Sequence, residues 1–266
     1  MVKKQRAVLG LDAAWTLTHP TGVALVVNGG EGWELADVAG SYSEFLAAAG
    51  DPPILRHQGS VPDPAALISA ASSKSGCTVD LVAVDMPLSM TPIIGRRVSD
   101  NIISSIYGAR GAGTHTPSVL RPGKVSDELL TGFDKIGYPL AVSEISGPSI
   151  VEVYPHPALI ELANAARRLP YKHSKIGKYW PNEIPDDRRQ LLFDVWQQII
   201  ELLDARIRGV KAALVSPSSE ARGYEMKAFE DKLDAVVCAW VGACVLDGTA
   251  VAHGDAESAI WVPKPL

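Results

Sequence analysis

Two runs of apolar residues, each closed by an aspartate, constrain this chain more than any other feature. Residues 7–12 read Ala-Val-Leu-Gly-Leu-Asp and residues 79–87 read Val-Asp-Leu-Val-Ala-Val-Asp-Met-Pro, so Asp12 and Asp85 each end a run too apolar for an exposed edge. Such runs read as central strands buried on both faces. Neighbouring strands lie about 4.8 Å apart, so two of them side by side and parallel would bring these carboxylates together at the carboxyl edge of a sheet. Two anions that close repel unless a proton or a cation stands between them. Glu152, in Ile150-Val151-Glu152-Val153-Tyr154-Pro155, is a third acid of this kind, and Asp231 and Asp234 lie on a late helix. The set points to a divalent-metal site. Each acid also has a plainer reading, as a turn or cap residue at a strand end or as part of a solvated helix face.

The chain has 266 residues, enough to bury a sizeable core. No run approaches the ~18 apolar residues of a membrane span, and the opening Met1–Arg6 runs straight into a strand, so the expected location is the cytoplasm. Cys77, Cys238 and Cys244 are odd in number and lack ligand spacing, which suits small buried side chains better than a disulfide framework. A net charge of −5 argues against non-specific coating of nucleic acid. The basic residues are nevertheless gathered. Residues 101–126 contain no acid but hold Arg110, Arg121 and Lys124, and residues 162–182 contain no acid but hold Arg167, Arg168, Lys172, Lys175 and Lys178. The second tract interleaves Tyr171, His173, Tyr179 and Trp180, a composition suited to phosphate contacts and base stacking, or to a solvated basic loop.

The order of elements begins as a three-stranded meander, with strands predicted at 21–27 and 32–38 around the turn Asn28-Gly29-Gly30. Asp63-Pro64 opens a short helix that leads into the strand ending at Asp85, and a parallel return to the first strand requires such a crossover. Helices are predicted near 98–107 and 126–136, a strand at 149–154, a helix from His156 to the break at Leu169-Pro170, a strong amphipathic helix from Pro185, and a last helix over about 224–247. Residues 210–215 are too short to assign by periodicity. On the last helix, Asp234 borders the apolar stripe and Asp231 lies about 60° further round.

Magnesium takes hard oxygen ligands and needs only one or two carboxylates per ion. Three or four acids can therefore hold two ions, which clamp the attacking and leaving oxygens of a phosphoryl displacement. Asp12 is the natural bridging ligand, Asp85 and Asp234 complete the cluster, and Glu152 serves as ligand or general base. His19, His115, His156 and His173 make no His-Glu-x-x-His spacing, which disfavours zinc, and no Gly-x-Ser-x-Gly elbow is present.

Gly10-Leu11-Asp12-Ala13-Ala14-Trp15, Val82-Ala83-Val84-Asp85-Met86-Pro87-Leu88, Arg96-Arg97-Val98-Ser99-Asp100, Val151-Glu152-Val153-Tyr154-Pro155-His156-Pro157, Leu169-Pro170-Tyr171-Lys172-His173 and Asp231-Lys232-Leu233-Asp234-Ala235 together resemble family 429 of the domains of unknown function. The resemblance runs from residue 7 to about 262. It implies a ribonuclease H-like α/β fold: a mixed five-stranded sheet with helices on both faces, in one domain over 1–266 with helical insertions at about 88–147 and 156–222. It further implies a nuclease whose acids match Asp12, Asp85 and Asp234, with Asp231 beside it; joined to the reading of the residues above, the expected catalytic residues are Asp12, Asp85, Glu152 and Asp234, with Mg²⁺ or Mn²⁺ held by Asp12, Asp85, Asp231 and Asp234. Arg96, Arg97, Arg110, Tyr171, Lys172, His173 and Lys175 are the residues expected to bind a nucleic-acid substrate.

Two other classes compete. An actin-like phosphotransferase or ATPase also uses a first-strand Asp, but needs a duplicated core for which 266 residues leave little room. A non-catalytic module binding nucleic acid or protein would keep the fold without the chemistry. The sequence leaves open DNA against RNA and whether copies assemble into a homo-oligomer.

Overall fold

A computed structural model describes residues 5–265. In chain order the elements are β1 (Arg6–Asp12), β2 (Gly22–Asn28), β3 (Trp33–Ala39), α1 (Tyr42–Leu46), α2 (Pro64–Ser75), β4 (Leu81–Val84), α3 (Val98–Tyr107), α4 (Lys124–Asp134), β5 (Ser149–Val153), α5 (Pro155–Leu162), α6 (Ile176–Tyr179), α7 (Pro185–Asp204), β6 (Ile207–Arg208), α8 (Val210–Ala213), α9 (Gly223–Leu246), β7 (Ala250–Gly254) and β8 (Ala259–Pro263). The sheet is mixed and has eight strands in the order β6-β3-β2-β1-β4-β5-β8-β7. The five expected strands are its centre, and three more extend it. β6 adds two residues to the outer edge of β3, and a β7–β8 hairpin extends the other side, with β8 parallel to β5.

β1 is buried through Leu11, and its partners are β2, antiparallel, and β4, parallel. Alternation sends Ala7, Leu9 and Leu11 to a core shared with Phe45, Leu67 and Phe133 of α1, α2 and α4. Val8 faces the opposite core, which α5, α7 and α9 cover. α2 starts as its sequence indicated: the Asp63 side chain accepts from Ala66 N–H, and Pro64 occupies the first turn. α5 ends at Leu162, well before Leu169-Pro170, because Asn164 takes a left-handed backbone (φ 44°) that stops the helix.

α9 is buried around its whole circumference from Leu233 to Ala243, so the expected single stripe is replaced by a central core helix. Glycines let its backbone approach the sheet. A Cβ on Gly10 would lie 2.4 Å from Ala235 O and Ala239 N, and one on Gly22 would lie 2.1 Å from Asp231 O. These are backbone atoms that no rotamer change can move. Gly10→Ala is therefore expected to lower unfolding free energy in urea by about 2–3 kcal/mol, the upper end of overpacking costs. An unchanged midpoint and slope would show that α9 yields without strain.

Candidate active site at the carboxyl edge of the sheet

Asp12 and Asp85 meet where β1 and β4 end. Leu11 is in register with Val84, and Asp85 N–H donates to Leu11 O at 2.9 Å. Both aspartates continue the alternation of Val8 and Ala83 towards the face covered by α9. Asp12 lies opposite Gly22, whose missing side chain leaves room for Asp231 of α9. One turn on, Asp234 is fully buried. Four carboxylates from three distant segments thus converge on one edge.

Their charge is compensated inside the protein. Asp234 accepts from the Tyr171 hydroxyl at 2.8 Å and from Lys172 Nζ. Asp231 accepts from Lys227 Nζ. Glu230, a third buried acid on α9, accepts the His173 backbone N–H at 2.6 Å and lies 3.5 Å from Lys172 Nζ. Burial, and then the negative charges of Asp234 and Asp231, push Asp12 well above the ordinary carboxylate range. Burial and Asp234 push Asp85 up to about 7. Burial would strip Lys172 of its proton, but Asp234, Tyr171 and Glu230 outweigh that and hold it charged. Asp231 Oδ2 is buried and has no donor partner among the described residues. A proton on Asp12 would supply one, and a hydrogen bond from Asp12 is among the influences that restrain the upward shift of Asp231.

Glu152 lies apart from this group. Alternation puts it with Ile150, on the face away from α9. Arg97 holds it bidentately, at 2.5 Å to Oε2 and 2.8 Å to Oε1, and Leu88 N–H donates to Oε2 at 2.7 Å. Burial raises Glu152 to about 6 against the pull of Arg97. It is a clamp for the loop after β4, its two oxygens accepting three hydrogen bonds from Arg97 and Leu88 N–H. Arg97 also grips Asp100, so it is a buried ion-pair partner and presents no free guanidinium to substrate.

The remaining predicted substrate contacts divide. Tyr171 is fully buried, so its ring has no face open for a base. Lys172 lies inside the carboxylate cluster. Arg110 pairs with Glu161 at 2.8 Å, while Arg96 ties Asn101, Ser104 and Thr116 together on the surface. His173 lines a separate hollow of about 430 Å³ with Arg188 and Arg189 that holds none of the four aspartates. Lys175 is half-buried near Arg168 and Lys172. Asp85 itself borders a narrow cleft of about 40 Å³ with Trp15, His115, Glu152 and Tyr154, and Arg121 lies over the Trp15 ring at 5.8 Å. Sequence reasoning passed over Lys227 and Glu230. Lys227 was legible as a lysine four residues before Asp231 on one helix face.

A family model described as Protein of unknown function (DUF429) matches residues 10–258. The chain belongs to the DUF429 family. No curated protein and no solved structure matches it. The DUF429 match spans Asp12, Asp85, Asp231, Asp234 and both lysines of the cluster.

Among the described residues of this DUF429 protein, no group of three His, Cys, Asp or Glu side chains is gathered tightly enough to hold an ion as it stands. Lys172 and Lys227 instead contact the carboxylates. The donors fit a hard divalent cation in chemistry: they are carboxylate oxygens, one is buried without a partner among the described residues, and two carboxyls are held towards protonation first by burial and then by like charge. No helix among the described residues is long and apolar enough to cross a membrane.

Proposed function

We propose that the protein is a divalent-metal-dependent nuclease with a ribonuclease H-like core. The observation that carries this reading is the convergence of Asp12, Asp85, Asp231 and Asp234 at one sheet edge, with more negative charge than the fold neutralises without protons. The central order β3-β2-β1-β4-β5 supports the core assignment: the first three strands are antiparallel, and β4 and β5 run parallel to β1. So does the position of the acids at the ends of β1 and β4 and on the last long helix. Asp12, Asp85, Asp231 and Asp234 would hold Mg²⁺ or Mn²⁺, and the ions would supply Lewis-acid activation of water and phosphodiester. Tyr171 orients Asp234 through its hydroxyl. Lys172 and Lys227 neutralise the acids until an ion arrives and then remain beside the site as cations for the phosphate backbone.

One observation favours a second reading. Both lysines already compensate the acids, as they would in a non-catalytic module that uses the cluster only to fasten α9 to the sheet.

Thermal unfolding in chelator and in millimolar Mn²⁺ separates the two. An ion at ~100 times its dissociation constant adds about 2.7 kcal/mol, so Mn²⁺ is expected to raise the wild-type midpoint and leave Asp12→Asn nearly unmoved. Cleavage of DNA and RNA would then be measured with Asp12→Asn as the blank. No Mn²⁺ response in the wild type would sink the nuclease reading in favour of the lysine-fastened module.

A further inference from the structure

Beside the carboxylates lies a cluster of opposite sign. His156, at the start of α5, is 8 % exposed, and its ring meets those of Tyr154 and Tyr171 edge-on at 5.4 Å each. Its Nδ1 is buried without a hydrogen-bond partner among the described residues, and so is Nε of Arg168. Arg168 is fixed in place by its own backbone N–H, which donates to Arg110 O at 2.8 Å. A buried polar atom left unpaired costs about 1–3 kcal/mol. Two in one neighbourhood require an explanation.

The surroundings supply one. Burial, then Arg168, Lys172, Lys175 and His115, hold His156 well below its usual range, so its ring is neutral and one nitrogen keeps a hydrogen to donate. Lys175 is itself pushed down by burial and by Arg168, Lys172 and Lys178, with Glu230 pulling the other way. Glu230, however, is already engaged by the His173 N–H and Lys172. Neither Arg168 nor Lys175 makes an ion pair among the described residues. Arg168 and Lys175, close to the unpartnered His156 Nδ1 and without a counterion among the described residues, form a receptor for an anion with several oxygens. Arginine supplies the planar fork that phosphate accepts.

Tyr154 joins this receptor to the acids. Its ring packs on His156, and it lines the cleft beside Asp85. We infer that Arg168, Lys175 and His156 Nδ1 form a phosphate-binding subsite next to the carboxylate cluster, seating one phosphate of the nucleic acid while the aspartates address a neighbouring one. The identity of the phosphate carrier rests on the nuclease reading; the anion site itself does not.

The test titrates inorganic phosphate into the chelated protein at fixed ionic strength set with chloride, reading heat of binding and thermal midpoint. The wild type is expected to bind phosphate. Arg168→Ala and Lys175→Ala are each expected to weaken it about tenfold or more. Lys175 sits in a short surface turn, so its variant reads the site even if Arg168→Ala folds poorly; circular dichroism checks both. Undiminished phosphate binding in both variants, or a wild-type response no larger than that to chloride, would overturn the subsite. Mn²⁺ response is measured on the wild type in parallel. Its absence, with phosphate binding intact and Arg168-dependent, would remove the nuclease and leave the anion site standing.

Discussion

Arg97→Met is expected to lower unfolding free energy by about 3–5 kcal/mol, because it strips the shared cation from two buried carboxylates. Glu152 is 4 % exposed and Asp100 is 1 % exposed, and the Arg97 guanidinium contacts both. The same side chain donates to Leu88 O at 2.7 Å, so it also fastens the segment that follows Asp85. Asp100 in turn accepts the Arg97 backbone N–H and caps α3. Attraction to both acids outweighs burial and holds the guanidinium charged. Urea denaturation would measure the loss. The pair Arg97→Met with Glu152→Gln should be less unstable than the sum of the single variants, since the second change removes the charge that the first leaves unpaired. Strict additivity, or a loss below about 1 kcal/mol, would mean that water already shares this clamp.

The second large effect is a fall in stability of the metal-free protein as pH rises from about 6.5 to 8, above the range in which His57, His156, His173 and His253, all lowered by burial, act in the opposite sense. Asp85 is raised to about 7, Glu152 to about 6, and Asp12 well above its ordinary value. A carboxyl raised on folding binds its proton more tightly in the native state. The stability it contributes is complete below the unfolded value near 4 and is lost as pH climbs through the folded one. Each group contributes a slope of up to about 1.4 kcal/mol per pH unit within its window. In chelator, the wild-type denaturation midpoint should therefore decline across this range, and Asp85→Asn should flatten the decline and exceed the wild type at pH 8. A wild-type midpoint that is level or rising would show that Lys172 and Lys227 balance the aspartates fully at every pH.

The parts of the fold that were legible in the sequence are those where burial on both faces leaves its mark on composition. The runs ending at Asp12 and Asp85 could only be inner strands, and their parallel pairing followed from the helix between them. β8 is equally buried. It is preceded by β7, half-buried to exposed and reading Ala-Val-Ala-His-Gly without alternation, and its own apolar run, Ala259-Ile260-Trp261-Val262, is only four residues long and closes on Pro263. β6 is two residues long, below any periodic signal.

For the site, acids at strand ends and on α9 could be named because position alone set their direction. Cations could not be assigned in this way. Arg97 meets Glu152 from 55 residues away and Lys172 meets Asp234 from 62 residues away, distances over which a local count of charge records sign and misses partner. Arg97 and Lys172, both expected at the substrate, are thus ion-paired with buried carboxylates. Arg168, in the same basic tract, is the one whose buried Nε lacks a partner.

The close seating of α9 on Gly10 and Gly22 sets how the site can move. Ala235 and Ala239 press on β1 through a gap too small for a methyl group, and the two site aspartates of the helix lie within or beside that contact. The helix cannot slide or tilt to admit a ligand without parting from the sheet. Amide hydrogens around residues 231–239 should exchange with solvent only when the whole molecule opens, on the slowest timescale the protein has. Any rearrangement of Lys172 and Lys227 is thus expected to come from side-chain rotation, with the backbone of α9 held against the sheet. A ligand must be accommodated by Lys172, Lys227 and the loops that bear Trp15 and His115.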